Sequence, residues 1–426
     1  MGPDTGTRPE RAATNDSWVA DIPYHYVVKT STTPPAASQL AVPLPAASAP
    51  GIYVHVPFCG RICPYCDFNT YAGQEPLIPA YVDAVTAELN LLAAETVGAG
   101  SPTLYFGGGT PSLLSPAQIE RIIHAARQHL HLRVDAEVSM EANPETLDTA
   151  YLRAVRDAGV NRLSLGVQSQ QRAGLRVLGR GHSSVHAGRA VEAAREAGFD
   201  NISLDFIYGW PGQQHDEWEA DLRTILDWQV EHVSLYSLIV EPGTPMQNAV
   251  RRGILTTLDD DTVADFYDRA VEVLAEAGWE HYEISNWARE PRYRSRHNQI
   301  YWQNGQFHGT GAGAYGTLGS QRVSNLLLPK AYIEAVESGR LPRATSETIS
   351  PETAIGETMM LGLRLLVDGV SATDFHTRHG LNLRERFGNE IDRFVGIGLL
   401  EWQADRLRLT PAGSLVANEV AAAFLP

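Results

Sequence analysis

From Gly51 onward, short apolar runs alternate with longer amphipathic stretches, and this alternation constrains the chain more than any other feature. The runs are IYVHVPF, TLYFG, AEVSMEA, RLSLGV, NISLDFIYG and HVSLYSLIV. Between them lie IPAYVDAVTAELNLLAAE, SPAQIERIIHAARQHL, DTAYLRAVRDAG, SSVHAGRAVEAAREAGF and DEWEADLRTILDWQ, and DDDTVADFYDRAVEVLAEAGW follows the last run. Runs of this length predict strands, and the helical spacing of apolar residues in the longer stretches predicts helices. Ser115 with Gln118 fits a capping box, and Gly159, Gly198 and Gly278 sit where helix C-caps are expected. Six strand–helix repeats imply parallel strands joined by right-handed crossovers. A barrel-like sheet and an open doubly wound sheet both fit, and in either the chemistry belongs beyond the carboxyl ends of the strands.

The rest of the chain divides around that α/β region, here taken as residues 51–286. Residues 1–50 are rich in Pro, Ala, Ser and Thr and read as a flexible arm, with a short apolar piece from Trp18 to Val28 that could pack onto the body. Residues 287–344 read as a loop-rich connecting segment. Residues 345–426 return to helix, in PETAIGETMMLGLRLL and LNLRERFGNEIDRFVGIGLL, and then give strand-like pieces around LEWQADRLRLT, the outline of a mostly helical, winged-helix-like domain.

Charge narrows the function classes. Lys and Arg number 34 against 50 Asp and Glu, a net charge of -16, which disfavours general binding to nucleic acid. No run of 18 apolar residues predicts a membrane span. The start lacks the pattern of a signal peptide, and three cysteines are an odd number, so reduced thiols in a cytoplasm are expected.

All three cysteines, Cys59, Cys63 and Cys66, fall within eight positions, spaced C-x3-C-x2-C in the loop after the first predicted strand. The odd count argues against a disulfide. A structural zinc site needs four ligands; His55 could be the fourth, although it lies on the strand and no second C-x2-C pair exists. A [4Fe–4S] cluster on three thiolates leaves one iron open to a small chelating molecule, and the strand–loop–helix context favours this reading.

Polar residues also gather at the strand ends. YFGGGTPS puts Gly107, Gly108, Gly109 and Thr110 after the second strand, where glycine lets backbone approach a ligand closely. Glu141 and Gln168 end the third and fourth strands, and Asp205 lies near the end of the fifth. Any one of them could cap a loop; three on successive strands are better explained by one polar ligand.

C-x3-C-x2-C after the first strand of a βα repeat resembles the radical S-adenosylmethionine (SAM) enzymes. The series YVHVPFC, CPYCDFN, GGGTPSLLS, MEANPET, AGVNRLSLGVQS, YGWPGQ, EPGTP, YEISNWA and HNQIYW resembles the coproporphyrinogen III oxidase-like group, and within it the branch of heme chaperones. The resemblance spans roughly residues 51–420 and leaves out the arm. It implies a partial (β/α)6 TIM-like barrel with a C-terminal domain. It implies a [4Fe–4S] cluster on Cys59, Cys63 and Cys66, SAM chelated to the open iron, and an electron that splits the sulfonium to give a 5′-deoxyadenosyl radical. Tyr53, Tyr65, Gly109, Thr110, Glu141, Gln168, Arg180 and Asp205 would line the SAM site, with Tyr65 near the adenine and Arg180 pairing with the SAM carboxylate.

The motif HNQIYW is tied to heme in that branch, so His297 is the implied axial ligand, with Tyr301 and Trp302 offering flat apolar surface. Read without the family, His297 is an ordinary loop histidine bonded to backbone. GTGAGAYG contains G-x-G-x-x-G, but it lacks a strand before and a helix after, so it is read as a backbone-dense wall near the cofactor rather than a dinucleotide site. The implied partners are heme, a heme-accepting protein of respiratory type, an electron donor such as flavodoxin or ferredoxin, and peripheral contact with a membrane, as monomer or dimer. The true coproporphyrinogen dehydrogenase carries a fourth cysteine two positions past the third, where this chain has Phe68, and an N-terminal tyrosine motif that the arm does not match. Both departures favour the chaperone over porphyrinogen decarboxylation.

Overall fold

The computed structural model describes residues 49–95 and 100–426. The expected arm, its apolar piece and its tyrosine comparison lie outside the described residues. Six strands come first: β1 (Gly51–Val56), β2 (Thr103–Gly108), β3 (Glu137–Ala142), β4 (Arg162–Gln168), β5 (Ile202–Tyr208) and β6 (His232–Ser237). They pair in parallel and in sequence order, for example Ile52 with Leu104 and Leu204 with Val233. A doubly wound sheet reverses its order at a switch point. Here each strand adds to the same edge, which is the order of a barrel wall. The helices between them are α1 (Ile78–Leu92), α2 (Pro116–His129), α3 (Thr149–Ala158), α4 (Arg172–Val177), α5 (Ser184–Glu196) and α6 (His215–Asp227). Ser115 and Gln118 make both bonds of the capping box that starts α2, and Gly159, Gly198 and Gly278 all adopt positive φ at helix ends.

Beyond β6, α7 (Pro245–Arg251) and α8 (Asp260–Glu276) precede β7 (Glu280–Glu283) and β8 (Asn286–Ala288), which extend the sheet antiparallel past β6. The segment expected to be loop-rich is largely structured. It contains α9 (Arg296–Trp302), β9 (Phe307–Thr310), β10 (Tyr315–Leu318), β11 (Gln321–Asn325), α10 (Pro329–Glu337) and β12 (Arg343–Thr348). β9 joins the free edge of β1 in parallel, and β10 to β12 continue antiparallel. The twelve strands run from β12 to β7 without closing, so the barrel is partial. A strand does precede GTGAGAYG, contrary to expectation, but β10 rather than a helix follows, so the dinucleotide reading still fails.

Alternation along the strands separates two chemical zones. Ile52, Val54, Leu104, Phe106, Val138, Met140, Leu163, Leu165, Leu204, Phe206 and Val233 are fully buried between the sheet and the outer helices. Each such side chain stabilises by about 1.5–3 kcal/mol. The intervening residues, among them Tyr53, Tyr105, Glu141, Ser164 and Asp205, bond to one another on the inner face. The core packing also accounts for α1 and its flanking turns, Glu75–Glu95, which are long and apolar enough to cross a membrane by length and composition. Tyr81, Val82, Val85 and Leu89 of this helix are buried in the main core.

A second core holds the C-terminal helices α11 (Pro351–Gly362), α12 (Ala372–His379) and α13 (Leu383–Gly396), packing Met359, Phe375, Phe387, Ile391 and Phe424. A small sheet of β13 (Val370–Ser371), β14 (Leu400–Gln403) and β15 (Arg406–Leu409) accompanies them, followed by α14 (Pro411–Leu415) and α15 (Ala417–Ala422).

Candidate cofactor site at the barrel mouth

The cysteine loop is pinned at its base. Phe58–Cys59 pairs in parallel with Tyr71–Ala72, so residues 59 to 71 form a closed excursion above β1. The GGGT turn after β2 fastens it from the other side, with Gly109 N donating to Val56 O at 2.8 Å and Thr110 N to Phe58 O at 2.8 Å. A Cβ on Gly109 would stand 2.7 Å from both carbonyls and 3.1 Å from Cys59 Sγ. A Cβ on Gly108, whose φ is +107°, would run into the His55 ring. The close approach that these glycines permit is therefore to the chain's own β1 and the base of its cysteine loop. Gly108→Ala combines a strained φ with a steric clash and is expected to cost about 1–3 kcal/mol. A urea unfolding midpoint unchanged by Gly108→Ala would contradict this account.

Cys59 is buried, while Cys63 and Cys66 are partly exposed. Burial pushes the Cys66 thiol up to about 12 and raises Cys59 as well, so metal loading must release protons. Thr110 Oγ1 donates to Cys59 Sγ at 3.5 Å. Among the described residues, no three His, Cys, Asp or Glu side chains stand close enough to hold a single ion. Thiolates that each bind a different iron of a cuboidal cluster stand farther apart than the ligands of one metal. The zinc alternative also lacks its fourth ligand: His55 Nδ1 lies 3.0 Å from the Tyr53 hydroxyl and Nε2 lies 3.0 Å from Asn69 O.

Arg180 reaches across from the α4–α5 connection. Its Nη1 lies 3.6 Å from Cys63 Sγ, and its Nη2 donates to Gly166 O at 3.0 Å and to Asn143 Oδ1. Its buried Nε has no partner among the described residues. An orphaned guanidinium N–H beside the thiols suits a carboxylate ligand. Gln168 has φ +66° at a register shift in β4, the kind of irregularity that re-aims a side chain.

Deeper in the barrel, Glu141 accepts from the Tyr105 hydroxyl at 2.8 Å and from Gly108 N at 3.1 Å. Desolvation, aided by the charge of Asp205, pushes the Glu141 carboxyl up to about 7. Asp205 accepts from Ser164 Oγ at 2.9 and 3.0 Å, and desolvation lifts it to about 6. Two carboxylates in one desolvated well suit a cationic ligand. On the opposite wall, Tyr65 packs against Leu178, Ile207 and Trp210, an apolar face fit for a flat ring. The three thiols, a free N–H donor, two carboxylates and an apolar shelf therefore fit a cluster with a zwitterionic sulfonium nucleoside.

Gly109, Thr110, Glu141, Gln168 and Arg180 thus share the carboxyl end of the barrel with the cysteines, whereas Tyr53 and Asp205 lie midway along β1 and β5. His297 lies at the amino end of the strands, fully buried, with Nδ1 2.8 Å from Thr103 Oγ1 and Nε2 2.7 Å from the Tyr301 hydroxyl. A neutral imidazole has one lone pair to give, and this one is already engaged. Both ring nitrogens of His297, the expected axial ligand, are thus engaged in this fold by Thr103 and Tyr301. Sequence reasoning missed Asn143, which bridges Arg180 and Thr110, and Tyr105, which holds Glu141. Asn143 stands two residues past Glu141 on the same strand end, which was the available signal. It also missed Asn69, whose amide donates to Ala312 O and Leu327 O and straps the cysteine loop to the GTGAG turn.

Residues 53–225 match the model of the radical SAM superfamily, and residues 349–416 match that of the HemN C-terminal domain. The heme chaperone HemW of Lactococcus lactis is 37% identical over 373 residues, covering 88% of this chain and 96% of that protein. The protein of the same name from Mycobacterium tuberculosis is 40% identical over 386 residues, covering 88% and 94%. The solved structure of coproporphyrinogen III oxidase (HemN) from Escherichia coli superposes with a TM-score of 0.77 at 21% identity, covering 89% of this chain and 91% of that one, and so bears on the fold alone. With curated relatives matched nearly end to end and the cysteine loop set at the carboxyl end of a partial barrel, the chain belongs to the HemW family of radical SAM proteins.

Proposed function

We propose that this chain is a heme chaperone that carries a [4Fe–4S] cluster on Cys59, Cys63 and Cys66 with exchangeable SAM, binds heme, and passes it to an acceptor protein. The observation that carries the cofactor half is the Arg180 guanidinium, which lies 3.6 Å from Cys63 Sγ with its Nε unpartnered, beside the one loop that holds all three cysteines. The heme half is supported by the name of the relatives, matched over 88% of this chain.

When bound, the cluster and SAM supply one-electron cleavage of the sulfonium, fed by a donor of flavodoxin or ferredoxin type. The chain's own residues bind and orient. Arg180 would take the SAM carboxylate, and the glycine turn at Gly109 and Thr110 the amine. Glu141, Gln168 and Asp205 would take the remaining polar groups, and Tyr65 the adenine. Tyr53 would close the well from the β1 side. Glu141 and Asp205, whose carboxyls burial raises to about 7 and about 6, would release their protons to solvent as a cationic ligand binds and favours their ionised forms.

The test is anaerobic purification followed by iron, sulfide and heme analysis, with hemin titration of the reconstituted protein. About four irons with matching sulfide per chain and a saturable Soret change are expected. A cluster-loaded protein with no saturable change would reject the chaperone. Conversion of coproporphyrinogen III to protoporphyrinogen by the same preparation, given SAM and a reductant, would replace it with the dehydrogenase.

A further inference from the structure

The helix that carries HNQIYW is built into the molecule at both ends. At its start, the Glu137 carboxylate of β3 accepts from Arg296 N and His297 N, each at 3.1 Å. At its end, the guanidinium of Arg364 lies over Trp302 at 4.3 Å, and Arg378 donates to Gln303 O at 2.7 Å and to Asn304 O. Both arginines belong to the C-terminal part of the chain. α9 is therefore a joint between that part and the floor of the barrel.

The His297 ring stacks against Tyr105, with centroids 5.1 Å apart and planes 24° apart, and against Tyr53 at 6.4 Å and 29°. Tyr53, Tyr105, Glu141 and Asp205 all keep some exposure to the well, whereas His297 is 0% exposed. His297 thus lies beneath the floor of the well. Tyr105 links the two levels directly, with its ring on His297 and its hydroxyl on Glu141 Oε1 at 2.8 Å. Burial keeps the imidazole neutral, with its pKa lowered to about 3. A heme could reach it only by displacing Tyr105, Thr103 or Tyr301.

We propose that His297 is a positioning residue of the barrel mouth: it is the shelf under Tyr105, it fixes Glu141 through Tyr105, and it does not ligate heme iron. This rests on the reading that the mouth holds SAM. It reassigns the HNQIYW motif from ligation to the coupling of the C-terminal domain with the SAM well.

Three variants of the reconstituted full chain test it: His297→Ala, His297→Phe and Tyr105→Phe. The phenylalanine at 297 keeps a ring under Tyr105 and removes every nitrogen. Equilibrium dialysis of SAM, the SAM-induced change in the electron paramagnetic resonance of the reduced cluster, and hemin titration are read side by side. SAM binding is expected to weaken about tenfold in His297→Ala and Tyr105→Phe, the scale of one lost hydrogen bond to a carboxylate. In His297→Phe it is expected to recover to within about threefold of wild type, a residual below that of a full bond. The hemin Soret change is expected to persist in His297→Phe and Tyr105→Phe. Loss of that change in His297→Phe overturns the proposal, and so does unaltered SAM binding in Tyr105→Phe, whose single missing hydroxyl leaves the core intact. A wild-type protein that binds SAM but not hemin would instead refute the chaperone reading, and the SAM arm would still decide the role of His297.

Discussion

Cys63→Ala is expected to leave the anaerobically reconstituted protein without its iron and acid-labile sulfide, a loss of more than about 100-fold in affinity, since outer supporting groups alone are worth ~10–100-fold at metal sites. The same result is expected for Cys66→Ala. Both side chains are partly exposed and stand in a loop whose base is closed by backbone bonds between Phe58–Cys59 and Tyr71–Ala72. Their removal therefore leaves the fold nearly untouched, with a change in unfolding free energy of the apoprotein of no more than about 0.5 kcal/mol. Cys59→Ala should lose the cluster too but destabilise more, because that thiol is buried beside Gly109 and accepts from Thr110. Iron and sulfide titres with visible absorption, set against urea melts of the apoproteins, separate the two effects. Retention of the full chromophore by Cys63→Ala would remove the basis for placing a cluster on these thiols.

The parts of the molecule that could be read from the sequence were those governed by local rules. The change between periods of two and 3.6 marked β1 to β6 and their helices. The Ser115 capping box and the three C-cap glycines depend on a few neighbouring residues, and all are present. Strand order was not legible, because periodicity does not say to which edge a strand adds. Local rules also failed between residues 287 and 344. β12, RATSET, is polar and largely exposed, and β9 to β11 are only four or five residues long, so pairing rather than composition makes them strands. α9 has seven residues and owes its place to Glu137, Arg364 and Arg378, which lie at least 62 residues away in sequence. For the same reason the motif HNQIYW announced chemistry while hiding that His297 faces inward. The cysteine loop, the glycine turn and Glu141 could be placed together from sequence because barrel topology sends every strand end to one mouth, whereas Asp205, expected near a strand end, lies midway along β5.

The largest effect on stability is expected from Glu88, a carboxylate buried in α1 that no strand-end argument identified. It accepts from Gly311 N at 2.8 Å, from the Tyr332 hydroxyl at 2.6 Å and from Asn325 Nδ2 at 2.6 Å. Tyr81, seven residues earlier, accepts from Ala312 N at 2.7 Å and donates to His55 O at 2.8 Å. The pair therefore anchors the GTGAG turn, which in turn holds Asn69 of the cysteine loop. Burial raises Glu88 from its ordinary 4.5 to about 7, against the pull of its donors and of Arg343. The folded state thus holds this proton more tightly than the unfolded chain. Its contribution is fully present below about pH 4.5 and is lost as pH rises through about 7, on the order of 3 kcal/mol in all. In Glu88→Gln that titration is gone, while one amide oxygen must serve three donors, so the variant is less stable at pH 5 by about 1–3 kcal/mol. The gap to wild type is then expected to close by on the order of 3 kcal/mol between pH 5 and pH 8, because every other titrating group is shared and cancels in the difference. Urea melts of both proteins across that range measure it. A gap that stays constant, or widens with rising pH, would mean that Glu88 is ionised in the folded protein and that the turn over the cysteine loop is held by charge rather than by a neutral acid.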